Sequence, residues 1–188
     1  MEEVAQVVEL RRGVKMKPLQ GAVLDDAERD PAAFAAKLPR TAEFLKRNEN
    51  VAVVVNVESR RAIDNLDAML AVPGVDAVLV GPHDLSCNLG VPEDFESPIF
   101  QSALREIFGI ARERGVGAGI HQGMPPSTPG MTPAFAKAWL AAGCNVYVHA
   151  ADVNLFSDAL ARDLATIRGD KPNGAAGTKR KREGAIVI

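Results

Sequence analysis

Residues 51–90, VAVVVNVESRRAIDNLDAMLAVPGVDAVLVGPHDLSCNLG, constrain the fold more than any other stretch. They open on an unbroken apolar run, Val51 to Val55, rich in β-branched side chains and too short for an ordinary helix. Such a run predicts a strand covered on both faces. Glu58 stands at its end. Ala62, Ile63, Leu66, Met69 and Leu70 then fall on one helical face, and Pro73-Gly74 stops that helix. A second apolar strand, Ala77 to Val80, leads into Gly81-Pro82-His83-Asp84. This is one βαβ unit with an acidic residue just past the carboxyl end of each strand, the side on which parallel α/β folds build their sites.

The rest of the chain repeats the alternation. Glu2 to Arg12 reads as an amphipathic helix with Val4, Val7, Val8 and Leu10 inward, and Gly13 fits as its stop. Val14 to Asp30 shows no strong period and, with Lys17-Pro18 and Asp25-Asp26, reads as a long loop. Asp30 caps a helix opening at Pro31, with Phe34, Leu38, Phe44 and Leu45 as apolar contacts, and Pro39 breaks it. Asn48-Glu49-Asn50 turns into the first strand. Cys87 to Ser97 reads as a loop, followed by a helix from Ile99 to Arg114 that carries Ile99, Ala103, Leu104, Ile107, Phe108 and Ala111 inward. A third strand, Val116 to Ile120, ends at His121. Beyond the Gly- and Pro-rich stretch from Gly123 to Pro133, a helix from Ala134 to Ala142 leads to a fourth strand, Asn145 to His149. Asp152 can cap the last helix, where Leu155, Phe156, Leu160, Leu164 and Ile167 share a face.

Four such strands cannot close a (β/α)₈ barrel, which takes eight units and typically about 250 residues. The expected fold is therefore α/β: a partial (β/α)₈ TIM barrel of about the last four βα units, parallel strands flanked by helices. A doubly wound open sheet is the other arrangement the alternation allows. Residues 1–168 form the expected domain, and 169–188 a disordered, basic tail containing Lys179-Arg180-Lys181-Arg182. A nucleic-acid role for that cluster is set aside, because the rest of the chain carries the acidic excess and no nucleic-acid motif.

Composition excludes more than it identifies. At 188 residues the chain is long enough for one well-buried domain. Aromatics make up only 5%, so Ala, Val and Leu must supply the core, which suits helices over a parallel sheet. No apolar stretch reaches membrane-spanning length, and Met1-Glu2-Glu3 does not open a signal peptide. Cys87 and Cys144 lack metal-ligand spacing and read as reduced thiols of a cytoplasmic protein.

Glu58 and Asp84, at the ends of adjacent parallel strands, are the candidate metal ligands. Hard divalent ions take carboxylate oxygens and keep positions for water or substrate. Each acid also has a purely structural account: Glu58 as a charge at a helix N-terminus, Asp84 as a cap over Leu85 and Ser86. His83, His121 and His149 are expected on the same rim, as hydrogen-bond partners or bases. No strand carries a lysine, so a Schiff-base mechanism has no nucleophile here.

The runs Glu43-Phe44-Leu45-Lys46-Arg47, Val53 to Glu58, Asn65-Leu66-Asp67, Val72-Pro73-Gly74-Val75-Asp76 and Val80-Gly81-Pro82-His83-Asp84-Leu85-Ser86 together resemble the HpcH/HpaI aldolase/citrate lyase family. Ala118 to His121 and His149 to Asp152 are similar to that family's last two strand ends. The resemblance implies a barrel in which Glu58 and Asp84 hold Mg²⁺, Mn²⁺ or Co²⁺. That ion would chelate a small 2-oxo acid such as pyruvate and stabilise its enolate. Gly81, His83 and the backbone amides between them would help hold the substrate, as would Asn56, which stands where the family commonly has Gln. The resemblance also implies a homo-oligomer and places the family's catalytic His and Arg on strands upstream of residue 1, so no catalytic residue is assigned within this chain. The expected function is metal-dependent aldol cleavage or condensation of 2-oxo acids, on a shortened chain whose activity the missing half would compromise. The alternative is a non-catalytic half-barrel that serves as a partner subunit.

Overall fold

A computed structural model of the chain describes residues 1–17, 19–123 and 132–169. The tail beyond Gly169 and most of the Gly- and Pro-rich stretch after β3 therefore lie outside the described residues.

Four helices precede the sheet. α1, Val4–Lys15, buries Val7 completely. Gly13 does not stop it. One exposed glycine costs a helix only about 1 kcal/mol, and the turn beyond it is anchored by Lys15 Nζ, which donates to the carbonyls of Glu49 and Val51. Where a loop was expected, α2 forms at Gly21–Arg29. Its nine residues are too few for a clear period, and tertiary contacts fix it: Ala27 is buried, and Glu28 accepts from Arg11 Nη1 at 3.1 Å and Arg12 Nη2 at 2.8 Å. α3, Pro31–Lys37, starts as expected, with Asp30 Oδ1 accepting from the Ala33 N–H at 2.9 Å. Pro39 ends it and opens α4, Pro39–Asn48.

The sheet is parallel, with strand order β1-β2-β3-β4, built from Val54–Val57, Ala77–Val80, Gly117–Gln122 and Val146–His149. β1 begins at Val54 rather than Val51, because the ladder starts at Val53, whose carbonyl accepts from the N–H groups of Asp76 and Ala77. Asp76 and Asn145, just before β2 and β4, extend the ladders with their side chains: Asp76 Oδ2 accepts from the Val53 N–H and Asn145 Oδ1 from the Ala118 N–H, both at 2.7 Å.

Register alternation separates the two faces of this sheet. Val55, Val57, Val78, Val80, Ala118 and Ile120 are wholly buried beneath α5 (Arg60–Asp64), α6 (Leu66–Leu70) and α8 (Pro98–Glu113). The expected helix of residues 60–70 is broken at Asn65, but its five apolar positions are all buried. The opposite face is open at its edges. Val54 is 42% exposed and Val148 46%, and Asn56 is exposed. The expectation that β1 is covered on both faces is thus corrected: only its helix side is dry. A doubly wound sheet would cover both. The open face is what a barrel interior becomes when the remaining strands are not beside it.

Three further corrections concern helices. Cys87 opens no loop, because it lies in α7, Pro82–Asn88, which carries Asp84 in its first turn. Ile99, expected inward, is 54% exposed at the start of α8, while Phe100 takes the inward position. After α9, Pro133–Ala141, and β4, the last helix α10 spans Asp152–Ile167 with Ala151 as its N-cap residue. Its apolar stripe is bare: Phe156 is 70% and Ile167 76% exposed. A helix following a strand packs over that strand and the next, and here the sheet ends at β4. No helix among the described residues is long and apolar enough to cross a membrane.

Candidate functional site

Glu58 is the first residue beyond β1 and shares the open face with Asn56, two residues earlier. Ser59, 6% exposed, then caps α5: its Oγ accepts from the Ala62 N–H at 3.1 Å and donates to Glu2 Oε1 at 2.7 Å. On the neighbouring strand, β2 runs through Gly81 straight into α7, whose first turn carries Asp84. The two elements bring Glu58 and Asp84 to one cleft of about 380 Å³, lined also by Glu2, Ser59, Cys87 and Asn88.

Close approach fixes the floor of this cleft. A Cβ on residue 81 would lie 2.6 Å from Glu58 Oε1, so only glycine lets the carboxylate rest there. The same oxygen accepts from Asn56 Nδ2 at 3.1 Å. Arg60, the nearest guanidinium in sequence, is directed elsewhere, donating to Glu106 at 2.7 and 2.9 Å and to Asp64 at 2.8 Å. Those carboxylates raise the Arg60 pKa further, and Arg60 in turn holds the Glu106 carboxyl below its usual value. The cleft holds three carboxylates beside the Met1 ammonium, which donates to the Asn56 carbonyl, and Glu2 is engaged by Ser59.

The histidines separate. Register places His121 on the open face opposite Val148, whereas His149 follows Tyr147 on the helix side, with ring centroids 5.8 Å apart. His83 turns along α7: Nδ1 lies 3.4 Å from Glu93 Oε1, and Nε2 lies 4.0 Å from Cys87 Sγ. Ser59, Cys87 and Asn88 were not singled out from sequence. Ser59 was findable as a cap residue ahead of the apolar positions of α5. Cys87 and Asn88 stand three and four residues after Asp84 and become neighbours only because that segment is helical.

Among the described residues no group of three or more His, Cys, Asp or Glu side chains is placed to hold a metal ion. A closed site of four protein ligands is therefore not built here. Two carboxylates in an open anionic cleft do fit an ion of the Mg²⁺ or Mn²⁺ type, which keeps several waters and takes one or two carboxylates plus substrate oxygens. A larger groove of about 800 Å³ opens among α1 to α4, near Pro73-Gly74. Two of its charges are employed structurally, Glu28 by two arginines and Lys15 by backbone carbonyls. It also lies beside the turn that precedes β2, away from the strand ends where Glu58 and Asp84 meet.

The model of the HpcH/HpaI aldolase/citrate lyase family matches residues 2–120. The chain is 35% identical over 139 residues to the 2-keto-3-deoxy-L-rhamnonate aldolase of Klebsiella pneumoniae, an alignment covering 73% of this chain and 49% of that protein. Among solved structures, an HpcH/HpaI aldolase/citrate lyase family protein from Burkholderia cenocepacia superposes with a TM-score of 0.66 at 28% identity, over 89% of this chain and 62% of the other. An HpcH/HpaI aldolase from Desulfitobacterium hafniense gives a TM-score of 0.67 over 94% of this chain and 64% of the other; at 22% identity it speaks for the fold alone. The chain spans about half the length of the curated relatives it matches.

Proposed function

The chain belongs to the HpcH/HpaI aldolase/citrate lyase family, and from that premise we propose that it carries the carboxylate half of a site for metal-assisted aldol cleavage or condensation of a small 2-oxo acid. The observation that carries this reading is the shared cleft of Glu58 and Asp84 at the carboxyl ends of β1 and β2. A bound Mg²⁺, Mn²⁺ or Co²⁺ would supply Lewis-acid polarisation of the 2-oxo acid carbonyl. Glu58 and Asp84 would hold it. Gly81 admits the Glu58 carboxylate, and His83, backed by Glu93, offers a hydrogen-bond donor at the rim. The rhamnonate relative's name narrows the substrate class to acids with a ketone at carbon 2 and a methylene at carbon 3.

The test is calorimetric titration of the chain with Mn²⁺, with and without oxalate as a 2-oxo-acid mimic, beside Glu58→Ala and Asp84→Ala. Binding that either substitution abolishes and that oxalate tightens is expected. A folded chain that takes up no Mn²⁺ would sink the reading.

The second reading is a non-catalytic half-barrel acting as a partner subunit, and the exposed α10 stripe and the edges of β1 and β4, unpaired among the described residues, favour it. Metal uptake separates them.

A further inference from the structure

We infer that Asn56 is a positioning residue that sets how Glu58 meets a cation, and thereby which cation the cleft prefers. The inference rests on the metal reading above and extends it to selectivity. Asn56 and Glu58 stand two apart on the same face of one extended stretch, about 6.7 Å along the strand. The Asn56 amide donates to Glu58 Oε1 at 3.1 Å. Gly81 on the next strand leaves room for that oxygen, since a Cβ added there would lie 2.6 Å from it. The Asn56 backbone is tied in turn, its carbonyl accepting from the Met1 ammonium at 2.9 Å. Oε1 is therefore held by the Asn56 amide. Among the described residues no hydrogen bond reaches Oε2, so Oε2 is the oxygen left for a cation. Glu58 is presented as a one-oxygen ligand.

That presentation discriminates between hard ions. Mg²⁺ and Mn²⁺ accept near-octahedral sites with single carboxylate oxygens and several waters, whereas Ca²⁺ gathers six to eight oxygens and readily takes a carboxylate through both of its oxygens. With Oε1 clamped, the cleft favours the smaller ions. Asn56→Ala releases Oε1, loosens the one-oxygen geometry and opens a two-oxygen mode to Ca²⁺. Asn56→Gln retains an amide donor. Asn56 is exposed on the open face, so neither change disturbs the core.

The experiment is calorimetric titration of the full chain with Mn²⁺ and, separately, with Ca²⁺, for the wild type, Asn56→Ala, Asn56→Gln and Glu58→Ala. The wild type should prefer Mn²⁺, and Glu58→Ala should lose both ions. Asn56→Ala should narrow the Mn²⁺-over-Ca²⁺ preference by about tenfold or more, the scale on which outer-shell partners act, while Asn56→Gln keeps it. A ratio unchanged in Asn56→Ala, or lost equally in Asn56→Gln, overturns the clamp and leaves the metal reading standing. A wild type that binds no Mn²⁺ overturns both.

Discussion

At Gly81 the demand for glycine comes from space and not from backbone conformation. Its φ of −87° is open to any residue, but the atom nearest an added Cβ is the Glu58 carboxylate. Because that group ends a flexible side chain, it can swing away without moving the backbone. Gly81→Ala should accordingly leave stability within about 0.5 kcal/mol of wild type and weaken Mn²⁺ binding by about 10- to 100-fold. A thermal melt beside a metal titration checks both halves, and a variant that melts early but binds normally would refute the argument. Glu58 and Asp84 were legible in the sequence because strand ends can be read from short apolar runs. The Asn56–Glu58 contact follows from strand alternation, whereas the clash across to Gly81 requires knowing which strand lies next door.

Element by element, periodicity reports which face is apolar but not where that face lies relative to everything else. In α8 the spacing identifies Ala103, Leu104, Ile107, Phe108 and Ala111 as inward, and all are buried. It also claims Ile99, which the first turn turns out to solvent while Phe100 goes in against Phe95, ring centroids 5.4 Å apart. Phe108→Ala should thus cost about 3–5 kcal/mol, and Ile99→Ala less than about 0.5 kcal/mol. Urea denaturation of the two variants side by side distinguishes them. α10 carries the same lesson further, for its stripe repeats at helical spacing too, yet none of its residues is buried. α2 is the converse, a helix of nine residues too short for its spacing to stand out, held by Glu28 between two arginines.

For the molecule as a whole, cross-element ion pairs tie the helical layer together. Arg60 of α5 reaches Glu106 of α8, and Arg114, just after α8, reaches Asp67 of α6. Hydrogen bonds from the guanidinium groups hold Glu106 and Asp67 below their usual carboxyl values. A carboxyl whose pKa is lower in the folded chain stabilises the fold above its unfolded value, and that contribution disappears as pH falls through the folded value. Both side chains of the Arg60–Glu106 pair are 43% exposed, so solvent screening limits it to about 0.2–1 kcal/mol. Glu106→Gln should be less stable than wild type at neutral pH by that amount and converge with it in acid. Urea midpoints at pH 7 and below the carboxylate range read the difference; a gap that persists in acid would show that packing, not charge, is responsible.

By itself the sequence determined the β-α alternation, the helix side of the sheet, the carboxylates at the strand ends and the family to which they belong. These are properties of short segments, set by side-chain spacing and turn chemistry within a few residues. Only the tertiary structure decided that Val54, Asn56 and Val148 face an open side, that no residue of α10 is buried, and that Glu58 rests on Gly81 under the Asn56 amide. The physical reason is that burial and close contact belong to pairs of elements. A strand or helix fixes which way its side chains point, but whether they meet a neighbour, a ligand or water depends on what the rest of the chain sets beside them.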